Sequence, residues 1–583
     1  MALSRLVRVV PSSCCRCCSS SLNSPAMSTG HQPSSGSTTK SGDYEFLSNH
    51  APGFPVDGNT VEVLREPIDF YRTVQNGVRS AKKRVVLASL YLGTGEREQA
   101  LVDSLAENLT SNPNLRSLVL VDGCRGSRGS ANTRTMLAPL LNTANARPPV
   151  QTKSTVAEPS CAERACSAAS RLHVALYQTP ELPNWIRWLV PHKYNEVPSL
   201  QHMKIYIFDN DVMLSGANLS ADYFHQRQDR FVLIRDAPRL ADYLTSVVAT
   251  VATHSYSLRG DNVLEFSGKT RQRLMAMLGE VCAGSNPSPT DCDALPDPLV
   301  AGNRQKFYAS LRAALKALRT SAQGDTSFFG VSQPEHSTAS SNSDALGNAR
   351  TGADQATRLD NPAVQQPDDD TILYPLLQLG PAGIQDDETA TRRLLEQSRS
   401  RGYGLRLASG YFNLTPEYSK SLLERGQDQT GFTEILLASP QANGFLGARG
   451  PRGSIPAGYV HRCKLFYQAV CQSGCKDTVH LAEYFRNGWT FHGKGLWLYP
   501  VNSDTPDMTM VGSPNFGYRS TCRDVELQVA MVTKNASLRR KLKQEADYLF
   551  SFGQSVDEST FQRPDHRVPW LVAVIANVVR KFV

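Results

Sequence analysis

The sequence predicts an α/β protein built from two related halves, each an α/β sandwich, set about a pseudo-twofold axis with one active site shared between them. Three observations predict this. First, a short apolar segment with His and Lys at i and i+2 occurs twice, at His202 and Lys204 and at His492 and Lys494. Second, each copy runs into a small-residue loop with an asparagine, Ser215, Gly216 and Asn218 in one and Gly512, Ser513 and Asn515 in the other; a carboxylate, Asp229 or Glu526, follows eleven residues later. Third, the stretches before the motifs also correspond, apolar strands alternating with helical periodicity.

In chain order, residues 1–42 carry Arg5, Arg8, Arg16 and Lys40, are rich in serine and contain no acid, the composition of a mitochondrial transit peptide with a disordered lead. The first half is expected over residues 43–283. A helix is predicted at 67–82, with Pro67 tolerated in its first turn, then a strand at 85–91 and a helix at 99–109. Leu87, Ala88, Ser89 and Tyr91 match Leu407, Ala408, Ser409 and Tyr411 of the second half, expected over residues 371–550. The next strands, from Leu115 and from Phe432, both run into loops of glycine and arginine, and those at His173 and Thr478 each precede a His-x-Lys segment. Between the halves, residues 284–370 read as a basic helix at 304–319 set in sequence of low complexity. Residues 551–583 form a tail whose end, VPWLVAVIANVVRKFV, is too short to span a bilayer. It fits an interfacial segment or a buried terminal element.

The net charge of +8 over 583 residues is modest, and half of it lies in the first 42. That balance fits anionic substrates or lipid head groups rather than nucleic acid. The 13 cysteines are scattered, so reduced thiols are expected, Cys463, Cys471 and Cys475 among them, rather than a disulfide framework or a metal site.

On an extended strand alternate side chains share a face, so His202 and Lys204 sit side by side. Two imidazoles, two ammonium groups and two amides suit transfer of a phosphorus group. One histidine attacks phosphorus to form a phosphohistidine, and the other protonates the leaving group and then deprotonates the acceptor. Lys204, Lys494, Asn218 and Asn515, with Ser513 beside them, would hold the non-bridging oxygens. Asp229 and Glu526 would each fix a histidine tautomer. This scheme needs no cofactor and no metal. The loop GCRGSRGS, with Gly123, Arg125, Gly126, Ser127, Arg128 and Gly129, is a further candidate for holding a phosphate or nucleotide, or a solvated basic loop. It lacks the spacing of an ATP-type phosphate loop.

The paired motifs resemble the phospholipase D superfamily. His202, Lys204 and Asp209 match its full HxKxxxxD pattern, whereas the second copy has Tyr499 where the aspartate would stand. QHMKIYIFDNDVMLSGANLS, FHGKGLWLY and GSPNFGYRS further resemble the mitochondrial phosphatidyltransferases of that superfamily, over residues 43–550 apart from the insertion. The resemblance implies phospholipase D-like sandwich halves and a catalytic set of His202, Lys204, Asp209, His492 and Lys494, with Asp209 in a supporting role. It implies transfer of a phosphatidyl group from CDP-diacylglycerol to sn-glycerol 3-phosphate, through a phosphatidyl-histidine, giving phosphatidylglycerophosphate and CMP on the way to cardiolipin. His202 is then the expected nucleophile and His492 the acid and base. The expected setting is the mitochondrion, peripheral on an anionic inner membrane. A lipase or nuclease of the same fold, or an inactive lipid-binding scaffold, would share most of these features, and the sequence is silent on oligomeric state.

Overall fold

The computed structural model describes residues 43–142, 168–181, 198–279, 295–324, 370–428, 431–578 and 580. The expected leader and the low-complexity stretch at 325–369 lie outside the described residues.

The first half supplies β1 (Phe54–Val56), β2 (Val61–Leu64), β3 (Arg84–Ala88), β4 (Arg116–Asp122), β5 (Leu172–Tyr177) and β6 (Ile205–Phe208). It continues with β7 (Asp211–Ser215), β8 (Arg227–Gln228), β9 (Phe231–Ile234), β10 (Tyr256–Leu258) and β11 (Leu264–Glu265). Its main helices are α1 (Pro67–Ser80), α2 (Glu96–Ser111) and α3 (Pro238–Thr253). After α4 (Arg304–Gly324) the second half supplies β12 (Thr371–Leu379), β13 (Ile384–Gln385), β14 (Gly404–Ser409), β15 (Thr433–Ala438) and β16 (Val479–Tyr484). Then come β17 (Thr490–Phe491), β18 (Lys494–Tyr499), β19 (Met508–Gly512), β20 (Glu526–Thr533) and β21 (Gly553–Ser555). Its helices are α5 (Asp386–Ser400), α6 (Pro416–Gln427), α7 (Ile455–Gln472), α8 (Ala536–Phe550) and α9 (Trp570–Val578).

The two sheets follow one plan. The first runs β5-β4-β3-β6-β7-β9-β2 and the second β16-β15-β14-β18-β19-β20-β12. In each, the first three strands are parallel and the rest antiparallel. Runs such as VVLA and LVLV are apolar on both faces because both faces are covered. One core lies between the sheets, where Val86, Leu118 and Ile205 meet Trp497, Val529 and Leu373, with α3, α4 and α8 contributing. The outer face of the first sheet packs on α1 and α2, and that of the second on α5, α6 and α7.

Local chemistry sets the element ends. The helix predicted to reach residue 82 stops at Ser80, where the Asn108 amide donates to the carbonyls of Val78 and Ala81 at 2.7 and 3.0 Å. The strand predicted through Tyr91 stops at Ala88, because the Ser89 hydroxyl turns back onto the Tyr91 carbonyl at 3.0 Å. Ser409 and Tyr411 make the same turn at 3.3 Å. Two segments sit elsewhere than their sequence position suggests. β1 pairs with β12 and so extends the second sheet, not the first. The helix expected within the insertion is α4, whose Phe307, Leu311 and Leu315 form a buried stripe in the inner core at the i, i+4 spacing of a helix face.

The halves are also joined by a buried ion pair. Arg230 donates to both Glu545 oxygens at 2.8 Å, to the Met510 carbonyl at 2.6 Å and to the Thr509 hydroxyl at 2.9 Å. Its guanidinium lies 3.9 Å over the Trp497 ring, whose indole N–H reaches Glu545 at 3.1 Å. Gly495, at φ 125°, makes the passage possible: a Cβ there would lie 2.3 Å from Arg230 Nη1 and 2.1 Å from the Met510 carbonyl. Removing one member of such a pair strands the other charge. Arg230→Leu should therefore cost about 3–5 kcal/mol, and Arg230→Leu with Glu545→Leu should recover a large part, as read from urea midpoints. A double variant no better than the single would contradict the ion-pair account.

Candidate active site

The His-x-Lys segments were expected to be strands throughout, but β6 begins only at Ile205. His202 lies in an extended lead-in whose Gln201 bridges Val525 of the other half, and His202 N–H donates to the Val525 carbonyl at 2.8 Å. The second copy does the same in reverse. β17 pairs in parallel with β8, and His492 N–H donates to the Gln228 carbonyl at 2.8 Å. Each histidine is thus held by the residue just ahead of the opposite half's carboxylate. As a result His202 Nδ1 lies 2.9 and 3.0 Å from the Glu526 oxygens, and His492 Nδ1 lies 2.7 Å from Asp229 Oδ2. The carboxylates are exchanged between halves and take Nδ1 of each ring, while His492 Nε2 lies 3.2 Å from Lys494 Nζ and 3.3 Å from the Tyr223 hydroxyl.

The lysines fold back onto their own histidines, Lys204 Nζ donating to the His202 carbonyl at 2.7 Å and Lys494 Nζ to the His492 carbonyl at 3.0 Å. Both are buried, and burial pushes Lys204 well below the usual lysine range and Lys494 down to about 8. Burial also lowers both histidines, with the Lys494, Arg227, Lys204 and His202 charges adding to the depression at His492. Neutral imidazoles at physiological pH follow.

The two pairs are not electrostatically equal. Burial alone would raise Glu526, but the His202 and Lys204 charges and the Ser513 hydroxyl outweigh it and hold the carboxyl below its ordinary value. Ser520 also donates to Glu526 at 2.8 Å. Burial wins at Asp229, raising it to about 6 despite Lys494. Lys494 Nζ and Asp229 Oδ2 each lie 2.7 Å from His492 Nδ1, so that nitrogen either accepts from the ammonium or donates to the carboxylate. His202 is the more open ring, its side chain 14% exposed against 4% for His492.

The loops after the motifs pack beside the two pairs. Gly216 leaves room for the neighbouring pair: a Cβ would stand 2.7 Å from Asp229 Oδ1 and 3.0 Å from Lys494 Nζ. Ser513, its counterpart, instead donates to the Leu527 carbonyl at 3.2 Å. The buried Oδ1 atoms of Asn218 and Asn515 have no hydrogen-bond partner among the described residues.

Asp209 is not in this cluster. It sits in the β6–β7 turn at φ 54°, and its carboxylate accepts the N–H groups of Lys82, Lys83 and Arg84 at 2.8, 2.7 and 3.0 Å. Its role there is to cap the start of β3, and Tyr499, its counterpart, packs against Phe432 and Arg406. In the Gly/Arg loop the backbone is committed internally. Gly123 N–H goes to the Tyr177 carbonyl, those of Cys124 and Arg125 to the Asp122 carboxylate, and that of Gly126 to the Asp122 carbonyl, at 2.7–2.9 Å. Ser127 has a buried hydroxyl, and Arg128 N–H and Gly129 lie further along the turn. The Arg125 side chain is what faces the cleft wall, its guanidinium 5.0 Å over the Tyr91 ring. His202, Asp524 and Glu526 bring three ligand-type atoms within 4.8 Å of one another. Hydrogen bonds within the protein account for that grouping, since Asp524 accepts from Arg519 and from Leu200 N–H at 2.8 Å.

Four further cleft residues were not singled out from the sequence. The Tyr223 hydroxyl lies 3.3 Å from His492 Nε2 and accepts from the Asn218 amide at 3.3 Å. Tyr411 stands edge-on to His492 at 5.3 Å, and Tyr459 stacks on Tyr411 at 5.4 Å. Arg227 lies 4.8 Å over Tyr223. A signal existed for one: Tyr411 and Tyr91 occupy matching positions in the repeat, two residues beyond the matched serines.

No family model matches the chain. The chain is 38% identical over 545 residues to the human "CDP-diacylglycerol--glycerol-3-phosphate 3-phosphatidyltransferase, mitochondrial", covering 92% of this chain and 86% of that protein. The chain belongs to this phosphatidyltransferase family. The mouse member is 37% identical over the same shares. A Dictyostelium discoideum protein with the same activity in its name, given as probable, is 32% identical over 89% of this chain and 77% of its own. Among solved structures, phosphatidylserine synthase from Haemophilus influenzae matches with a TM-score of 0.60 at 17% identity, over 93% of this chain and 99% of that one. That likeness shows a shared fold.

The electrostatics give a pH profile for this phosphatidyltransferase. Asp229 must be ionised to orient His492, so turnover should rise with pH through about 6. Lys494 loses its charge as pH rises through about 8, and turnover should fall there. The two limbs are apparent values of the coupled cluster. Initial rates that stay flat from about pH 5 to 9 would sink this account.

Proposed function

We propose that His202, Lys204, His492 and Lys494, with Asn218, Asn515, Asp229 and Glu526, transfer the phosphatidyl group of CDP-diacylglycerol to the 1-hydroxyl of sn-glycerol 3-phosphate. The products are phosphatidylglycerophosphate and CMP. The observation that carries the reading is the pair of exchanged carboxylate–imidazole contacts, which takes Nδ1 of each ring with the acid of the opposite half, in a chain of this family.

In the first step Glu526 holds the Nδ1 proton of His202, so the lone pair is on Nε2. Nε2 attacks the phosphatidyl phosphorus; the N–P bond forms, the P–O bond to CMP breaks, and the departing phosphate takes the Nε2 proton of His492 as Lys494 Nζ passes one to its Nδ1. Lys204, Lys494 and the amide groups of Asn218 and Asn515 neutralise the charge gathering on the non-bridging oxygens. In the second step His492 takes the proton of the glycerol 3-phosphate hydroxyl, its oxygen attacks phosphorus, and the N–P bond breaks. The greater exposure of His202 supports it as the nucleophile. Arg125 and Arg227, at the tyrosine-lined wall, offer charge for the phosphates of either substrate.

The working place is the mitochondrion, on a membrane surface. Relatives from mouse, human and chicken are named mitochondrial. Among the described residues no helix is long and apolar enough to cross a membrane.

Purified protein given CDP-diacylglycerol and labelled glycerol 3-phosphate in mixed micelles with EDTA should yield labelled lipid, and His202→Ala should yield none. Without acceptor, phosphatidyl-labelled CDP-diacylglycerol should leave acid-labile label on the protein, lost in His202→Ala and retained in a His492→Ala variant that turns over about 10²–10⁴-fold more slowly. CMP and phosphatidic acid without labelled phosphatidylglycerophosphate would make it a hydrolase instead.

A further inference from the structure

The largest concentration of exposed apolar side chains among the described residues is on α9. Trp570, Leu571, Val574, Ile575 and Val578 are 77, 52, 51, 41 and 60% exposed. Their i, i+1, i+4, i+5, i+8 spacing puts them on one side of the helix. The other side is docked. Ala576 faces Gly458 of α7, Asn577 accepts from Arg462 at 3.4 Å, and the Arg580 carbonyl accepts from the Asn413 amide at 3.0 Å. Leu465 on α7 and Leu446 on the loop before it are also exposed, at 38 and 59%.

The anchored side of α9 lies close to His492. Tyr459, next to Gly458, stacks on Tyr411, which is edge-on to His492. Two aromatic rings therefore separate α9's anchor point from the reacting imidazole. Arg580 also lies 5.2 Å over Tyr518, three residues beyond Asn515. The charge on this side is mainly positive, with Asp565, bonded to Gln441, and Glu424, beside Arg462 and Arg580, the acids next to it. Residues 441–472 and 566–580 contain Arg449, Arg452, Arg462, Lys464, Arg567 and Arg580 and no aspartate or glutamate.

We propose that α9, with the α7 face beside it, is the surface by which the protein seats on an anionic bilayer, setting the cleft at the level of the lipid head groups. The inference rests on the reading that the donor is a membrane lipid, and adds which face meets that membrane. At nine residues α9 spans about 13 Å and lies in the interface rather than across it. Its leading tryptophan suits the boundary between head groups and acyl chains, and the basic segments match the negative surface potential. The donor's acyl chains would then remain in the bilayer while its pyrophosphate reaches His202.

The test compares the full chain with Trp570→Glu/Val574→Glu/Val578→Glu, all at exposed positions outside the catalytic machinery. Flotation is measured with vesicles of phosphatidylcholine containing phosphatidylglycerol and with phosphatidylcholine alone, and turnover with a short-chain, water-soluble CDP-diacylglycerol. The parent should float with the anionic vesicles and weakly with the neutral ones. The variant should bind at least about tenfold less, keep its turnover on the soluble donor, and lose turnover on vesicle-embedded donor. Equal flotation of the two proteins overturns the proposal. So does a parent that floats with neither vesicle but sediments as a dimer that the variant breaks, which would make α9 a subunit contact. Failure of the proposed reaction reads differently: neither protein would turn over the soluble donor, whatever their flotation.

Discussion

Everything in this molecule depends on the exchange of two short segments between its halves. Gln201 pairs with Val525 and β17 with β8, and those few backbone hydrogen bonds decide which carboxylate each histidine meets. Had each half kept its own acid, the result would be two separate sites. With the acids traded, Asp229 and Glu526 become cross-braces, and neither histidine has its tautomer fixed until both halves are folded. Arg230 reinforces the seam from within, spending a buried charge where the sheets approach. Such a pair is weak evidence for stability but strong evidence for register, because a shifted interface would leave Glu545 uncompensated.

Pseudo-symmetry of the backbone does not give equal chemistry. Gly216 against Ser513 is the smallest difference at the site, and the missing side chain is what leaves Asp229 and Lys494 room beside that loop. Glu526, with its hydroxyls, stays ionised. Asp229, pressed beside Lys494 and His492, holds its proton up to about 6. The two carboxylates thus differ electrostatically although the backbones match. The same residue types in both halves can take different roles without any difference in fold.

The parts of this arrangement legible in the sequence are those that chemistry restricts locally. His-x-Lys, the small loop and the carboxylate stand at fixed spacings, and matched apolar runs reproduce one strand order twice. The exchange was not legible, since equal spacings in both copies say nothing about which histidine meets which acid. Asp209 shows the opposite difficulty. It completes a sequence pattern, but five residues of strand beyond Lys204 carry it about 16 Å away, to the far end of β6. There its carboxylate caps backbone N–H groups at the start of β3. Tyr223, Tyr411 and Tyr459, around His492, come from three separate places in the chain, and only tertiary packing brings them together. α4 was legible as a helix but not as part of the core: its basic composition hid the apolar stripe of Phe307, Leu311 and Leu315 that the inner core needs.

β1 has a kinetic side. Phe54 pairs with Leu373, so the first strand of the described chain waits for more than half of the protein before it has a partner. Until then residues 43–56 are a loose end on a half that already has a complete sheet of its own, and β12 emerges with an open edge. A contact of such sequence separation closes late and slowly. While it is open, the second sheet can accept a strand from another molecule as readily as its own. The leading segment of this chain thereby acts as a latch, and the time it takes to close sets how long the folding protein is vulnerable to swapped or aggregated forms.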